Sequence, residues 1–138
     1  MINFNALLGF FLIALVLVGC KKDKDAEPDN LPIGRNWKMT QFLVATPVSS
    51  FDQVTIANGC DADDIYRFRD DDTYVHEEGA TKCNPLDSNI VEQGTWYKDG
   101  DTFIWDGQEF IIDELNRQTF RIKTTVFSTD YTITFTAQ

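Results

Sequence analysis

The sequence predicts an all-β domain, an eight-stranded antiparallel barrel of up-and-down order. Three observations predict it. Short runs rich in aromatic residues and Thr are broken by Asp and Gly near the strand-plus-turn repeat of sandwiches and barrels. The last two runs alternate. In Thr119–Val126, Phe120, Ile122 and Val126 share one face against Arg121, Lys123 and Thr125; in Tyr131–Thr136, Tyr131, Ile133 and Phe135 oppose Thr132, Thr134 and Thr136. Such alternation marks a sheet with one buried and one wetted face. Finally, most runs are joined by connections short enough for hairpins, and eight strands joined in sequence can close on themselves and leave no free edge.

The first strand is expected at Trp37–Ala45. The connection from Thr46 to Asp64 is the one long one, with a turn of helix predicted where Ser50 and Gln53 have capping-box spacing. Ile65–Arg69 and Thr73–Glu78 flank a turn at Asp70-Asp71-Asp72. Gln93–Lys98 and Thr102–Trp105 flank Asp99-Gly100, a favoured hairpin dipeptide. Glu109–Leu115 is reached through Asp106-Gly107, and Asn116-Arg117 turns into the penultimate strand.

The N-terminal segment has a different character. The first 19 residues hold no Asp, Glu, Lys or Arg, and Ala6 to Val18 are almost wholly apolar, the length of a signal-peptide core. The run ends in Leu17-Val18-Gly19-Cys20 and gives way at once to Lys21-Lys22-Asp23-Lys24-Asp25. These four residues resemble the lipobox of bacterial lipoproteins, which implies cleavage before Cys20 and lipid on its sulfur. An uncleaved membrane helix is the competing reading, since about 20 apolar residues span a bilayer; the placement of Cys20 favours cleavage. Two or more acyl chains anchor stably where one does not. Lys21 stands where Asp would favour inner-membrane retention in the general lipoprotein pattern. The charged run from Lys22 to Glu27 is similar to signals that carry some Gram-negative lipoproteins to the outer face of the outer membrane. The expected division is a signal peptide over 1–19, a lipidated cysteine and tether over 20–32 and the barrel over 33–138. Charge together with Pro28 and Pro32 keeps the tether extended.

The net charge of −10 argues against nucleic acid, whose phosphates require Lys and Arg, and keeps the domain soluble and away from anionic head groups. With Cys20 lipidated, Cys60 and Cys83 remain as a pair in an oxidising compartment, where disulfides persist. A structural bond is expected, contributing about 3 kcal/mol by loop closure. A redox pair is more often Cys-x-x-Cys, and a zinc site needs more ligands than one histidine supplies. No metal or cofactor is expected.

From Leu31 onward the chain resembles the lipocalin-like domains of small Gram-negative lipoproteins. The resemblance rests on Gly34 and Trp37 at the first strand and on Cys60-Asp61-Ala62-Asp63-Asp64 leading into Tyr66 and Phe68. It extends through the acidic turn before Thr73-Tyr74, Cys83 after a glycine-containing loop, Gly94-Thr95-Trp96 and the closing Tyr131-Thr132-Ile133-Thr134-Phe135. It implies the eight-stranded barrel with a Cys60–Cys83 bond. Two residues, Arg35 and Asn36, separate the first glycine and tryptophan where lipocalins proper have one.

On strand parity Trp37, Tyr66, Phe68, Trp96, Phe120, Ile122, Tyr131 and Phe135 line the barrel interior, while Phe103 and Trp105 share a face that alternation does not assign. Such a lining either holds a small hydrophobic ligand or is itself the core, since eight strands enclose one or the other. Asp61-Asp63-Asp64 and Asp70-Asp71-Asp72 read as turn chemistry rather than calcium ligands. His76, the only histidine, is expected to be exposed beside Glu77 and Glu78; the nearest hydroxyl, Thr73, sits in a turn, so no nucleophile–base pair is formed. No catalytic residue is assigned, and carboxylate spacing alone selects no acid–base pair. The leading expectation is a lipid-anchored binding protein with a small hydrophobic ligand. A filled barrel with an envelope protein partner comes second, and a hydrolase with an unrecognised site third.

Overall fold

The computed structural model describes residues 32–56 and 59–138. The signal segment, Cys20 and the tether up to residue 31 lie outside the described residues. Nine strands run in chain order: β1 (Trp37–Ala45), β2 (Ser50–Asp52), β3 (Ile65–Phe68), β4 (Thr73–Glu77), β5 (Ile90–Asp99), β6 (Thr102–Trp105), β7 (Gln108–Leu115), β8 (Thr119–Val126) and β9 (Thr129–Ala137). A one-turn helix α1 (Gln53–Ile56) and a 3₁₀ turn (Asp61–Asp63) interrupt the connection between β2 and β3.

Eight strands close the predicted antiparallel barrel. From β3 to β9 each strand pairs with the next, and β9 returns to β1 from Trp37↔Ala137 to Ala45↔Asp130. The ninth strand corrects the expected count. Ser50–Asp52 is extended and folds back on β1 as a short hairpin outside the ring, with Leu43↔Asp52 and Ala45↔Ser50 in register. The helical turn begins at Gln53, and Asp52 sets it: its Oδ1 accepts the Val54 N–H at 3.1 Å and the Phe42 N–H at 3.0 Å. The ring is thin in one place. β1 meets β3 through a single pair, Trp37↔Tyr66, and beyond it the crossover carrying α1 and the 3₁₀ turn packs beside β1.

Hairpin turns fall where the backbone must adopt positive φ. Asp106 (φ 49°) and Gly107 (80°) join β6 to β7, and Gly100 (56°) opens the turn after β5. Gly94 is demanded by a close approach instead. The Asp106 carboxylate occupies the space a Cβ would need there, and it accepts hydrogen bonds from the Thr95 N–H at 2.8 Å and the Tyr74 hydroxyl at 2.5 Å.

The two ends of the barrel differ. At the end where β1 begins, the rings of Trp37, Phe68, Phe103, Phe120 and Phe135 are out of solvent. Phe68 meets Phe103 and Phe120 edge-on, with centroids 5.5 and 5.7 Å apart, the arrangement that the ring quadrupole favours. Residues preceding β1 seal this end: Ile33 bridges to Phe68, and the Trp37 indole N–H donates to the Pro32 carbonyl at 2.6 Å. Pro32 is itself fully buried, so the packed domain begins one residue before the boundary expected from the sequence. The opposite end carries the long crossover and the β4–β5, β6–β7 and β8–β9 connections, and it is open.

Candidate ligand-binding site

The open end of the barrel holds a pocket of about 260 Å³. It lies where β1 and β3 diverge. Met39 and Phe42 of β1, Val54 of α1 and Val91 of β5 supply apolar wall; Asp61, Asp64, Tyr66, His76 and Glu78 supply polar groups. A second pocket of about 190 Å³ lies across Phe42, between that residue and Phe110, Thr124, Val126, Tyr131 and Ile133. Both are smaller than the roughly 300–1,000 Å³ of pockets that hold drug-sized ligands, so they suit a small guest.

Two β-bulges place apolar side chains at this mouth. The pairing of β1 with β9 slips between Met39 and Gln41, and that of β4 with β5 slips between His76 and Glu77, leaving Thr40 and Val91 without direct partners. A bulge resets which side chains face inward. That reset lets Met39 and Phe42, three apart, serve one pocket and brings Val91 to it.

The polar side is built on Asp64, which is 5% exposed. Its Oδ1 accepts the Gly79 N–H at 3.1 Å and its Oδ2 lies 2.8 Å from His76 Nε2. The His76 ring stacks on Tyr66, with centroids 4.2 Å apart and planes 10° apart. His76 is thus largely buried and partnered, a correction to the exposed residue expected from its acidic sequence neighbours. The antiparallel register explains it, because Tyr66 pairs directly with His76 and Asp64 stands immediately before β3. Burial first, then the charges of Asp64, Glu92 and Asp61, push the Tyr66 phenol well above the usual tyrosine range.

The crossover is fastened to the β4–β5 loop. Cys60 and Cys83 form a disulfide with Cα atoms 5.1 Å apart. Thr81 N–H donates to Asp63 Oδ2 at 3.0 Å, and Gly79 lies so close to the Asp63 backbone that a side chain there would collide with it. Asp63 and Asp64 are therefore structural acceptors, as turn chemistry predicts, but between two segments rather than within one. Asp71 does act locally, accepting from the Thr73 N–H at 3.1 Å at the far end of the barrel. Among the described residues, the one cluster with metal-ligating atoms in reach of one another is Cys60, Asp61 and Cys83. Its two sulfurs are bonded to each other, so neither offers a thiolate.

The expected lining residues divide between the two ends. Trp37, Phe68, Trp96, Phe120, Ile122 and Phe135 are packed together in the core. Tyr66 lines the larger pocket and Tyr131 the smaller. Phe103, unassigned by alternation, is core, and Trp105 packs against it. Met39, Phe42, Val54 and Glu78 line the mouth without having been singled out in the sequence. For His76 a signal existed: it is two residues from the inward Tyr74 and so shares its face. No protein-family model matches the chain, and no curated protein or solved structure does either.

Proposed function

We propose that the protein is a lipocalin-like lipoprotein of the outer membrane, anchored through lipid on Cys20, that binds a small, largely apolar molecule at the mouth of its barrel. The observation that carries this reading is the apolar-walled pocket between β1 and the crossover, with a few convergent polar groups fixed by hydrogen bonds. Its position supports the reading too. The polypeptide enters the barrel at the sealed end, so a tether running to the membrane leaves from the end opposite the mouth. Binding is favoured over covalent catalysis because none of the described residues lining the larger pocket is Ser or Thr and Cys83 is disulfide-bonded, leaving the Asp64–His76 pair no side-chain nucleophile to activate. Native mass spectrometry of the freshly purified protein tests the proposal. A small molecule should co-purify and be lost in Val54→Trp, which fills the pocket; retention of the same mass in that variant would overturn it.

One observation favours a second reading, a filled barrel that acts through a protein partner of the envelope. Val48, Leu86 and Phe127 are 93%, 92% and 99% exposed, and all three stand on connections at the open end. If these tips make the functional contact, Phe127→Ser abolishes partner capture while Val54→Trp leaves it unchanged.

A further inference from the structure

The charge at the mouth narrows the chemistry of its guest, an inference that rests on the mouth pocket being the ligand site. We infer that the ligand is a cationic amphiphile: a compact apolar or aromatic body bearing a protonated amine.

The walls are sorted by type. Met39, Phe42 and Val54 offer an apolar surface, and Asp61, Asp64 and Glu78 contribute three carboxylates to the same cavity. Among the described residues, no Lys or Arg lines it. The one basic side chain among the described lining residues, His76, is hydrogen-bonded to Asp64 and offsets at most one acid of the three. Lys82, next to Cys83 in the sequence, is drawn away and donates to the Asp87 carbonyl at 2.9 Å.

Glu78 supplies an independent observation. Its Oε2 is out of contact with solvent and has no hydrogen-bond donor among the described residues. A carboxylate oxygen in that condition is an unmet demand, because a buried acceptor without a partner loses its hydration and gains nothing in return. An ammonium group in the adjacent cavity would meet it with a charge-assisted hydrogen bond. The charges at the mouth have the matching sign: burial first, and then the carboxylates of Asp64, Glu92 and Asp61, raise the Tyr66 phenol above its usual range. The same arrangement rejects an anion. A fatty acid with its head group in this mouth would set a fourth carboxylate against three, with low-dielectric walls to strengthen the repulsion.

Three indole compounds of one shape test this with the purified full chain: tryptamine as the cation, indole-3-ethanol as the neutral analogue and indole-3-acetate as the anion. Titration calorimetry gives the affinities, and backbone amide shifts of Val54 and Gly79 locate the binding. Tryptamine should bind about tenfold or more tightly than indole-3-ethanol, the difference expected for one charge-assisted contact. The gap should shrink as salt is added, with indole-3-acetate weakest throughout. Glu78→Gln should reduce tryptamine affinity and leave that of indole-3-ethanol unchanged, and the exposed Asp61→Asn gives the same comparison if Glu78→Gln folds poorly. Equal binding of cation and neutral analogue, or tighter binding of the acetate, overturns the charge inference and leaves the mouth standing as a ligand site. If none of the three moves the Val54 and Gly79 amides, the mouth site itself falls and the inference with it.

Discussion

The two ends of this barrel are made from the same strands and much the same residue types, yet one is solid and the other hollow. At the sealed end every strand has a neighbour on both sides, and Phe68, Phe103, Phe120 and Phe135 interlock at right angles or in stacks. At the open end β1 and β3 have separated, and a crossover with one turn of helix stands where a ladder would be. Phe42 and Tyr131 meet there across 6.4 Å with cavities on either side. Aromatic content does not distinguish core from pocket in such a domain. Continuity of strand pairing accounts for the larger hollow, which lies where the one long connection replaces it.

The most severe test of this contrast removes a ring from each end. Phe68→Ala should cost about 3–5 kcal/mol, the usual loss for a fully enclosed aromatic. Against the roughly 5–15 kcal/mol total of a typical domain, such a loss brings the barrel near unfolding. Phe42→Ala should cost less than half as much, since Phe42 is only partly buried and already borders empty space. Urea denaturation of the two variants decides it, and equal losses would mean that the two ends are packed alike.

Opening the disulfide should act on one end alone. Cys60 and Cys83 are separated by 23 positions, and releasing a loop of this size costs roughly 3 kcal/mol on the chain-entropy account. The double variant Cys60→Ser/Cys83→Ser should also speed amide exchange over 46–64 and 78–89 while β8 and β9 keep their protection. Uniformly faster exchange would show that the bond supports the whole barrel rather than the crossover and the β4–β5 loop at its mouth.

A smaller effect isolates the polar side of the mouth. His76→Ala deprives the buried Asp64 of its 2.8 Å partner, and an acceptor stranded in this way costs roughly 1–3 kcal/mol. His76→Asn, which can still offer a donor, should recover part of the loss. Equal destabilisation by Ala and Asn would assign the histidine's contribution to its stacking on Tyr66 instead.

How much of this was legible in the sequence depends on which interactions set each feature. Trp37–Ala45, Thr102–Trp105 and Thr119–Val126 have the bounds that alternation and turn residues predict, because each is fixed by local pattern. β2 was not legible: three residues carry no period, and what makes them a strand is the free edge of β1 beside them. The packed interior followed from parity at Phe68, Phe120 and Phe135. The mouth did not, for two physical reasons. Bulges at Thr40 and Val91 interrupt the alternation by which inward faces are read. The Asp64–His76 contact joins residues 12 apart through strand register, which no local motif encodes. The disulfide was legible from cysteine count, but its use as a clamp between the crossover and the β4–β5 loop needed the fold.

The mildest prediction concerns two turns at the open end with the same backbone shape and unequal residues. Asp106-Gly107 takes φ of 49° and 80°, and Phe127-Ser128 takes 48° and 63°. The first pair suits a type I′ hairpin turn, where Asn, Asp and Gly tolerate left-handed φ; the second sets a bulky aromatic there. A left-handed conformation costs an ordinary L-residue about 1–2 kcal/mol. Burial returns none of this for Phe127, which is 99% exposed. Phe127→Asn should therefore stabilise the barrel, by about 0.5–1 kcal/mol once the residual strain of Asn is allowed for. The urea midpoint should rise with an unchanged slope, since no buried surface is altered. Asp106→Asn should change far more than the turn, because its carboxylate also holds Thr95 and Tyr74, so Phe127 is the position at which turn strain can be measured alone. A fall in stability on Phe127→Asn would mean that the ring packs against the mouth in solution, and that the open end is less open than its strand pairing implies.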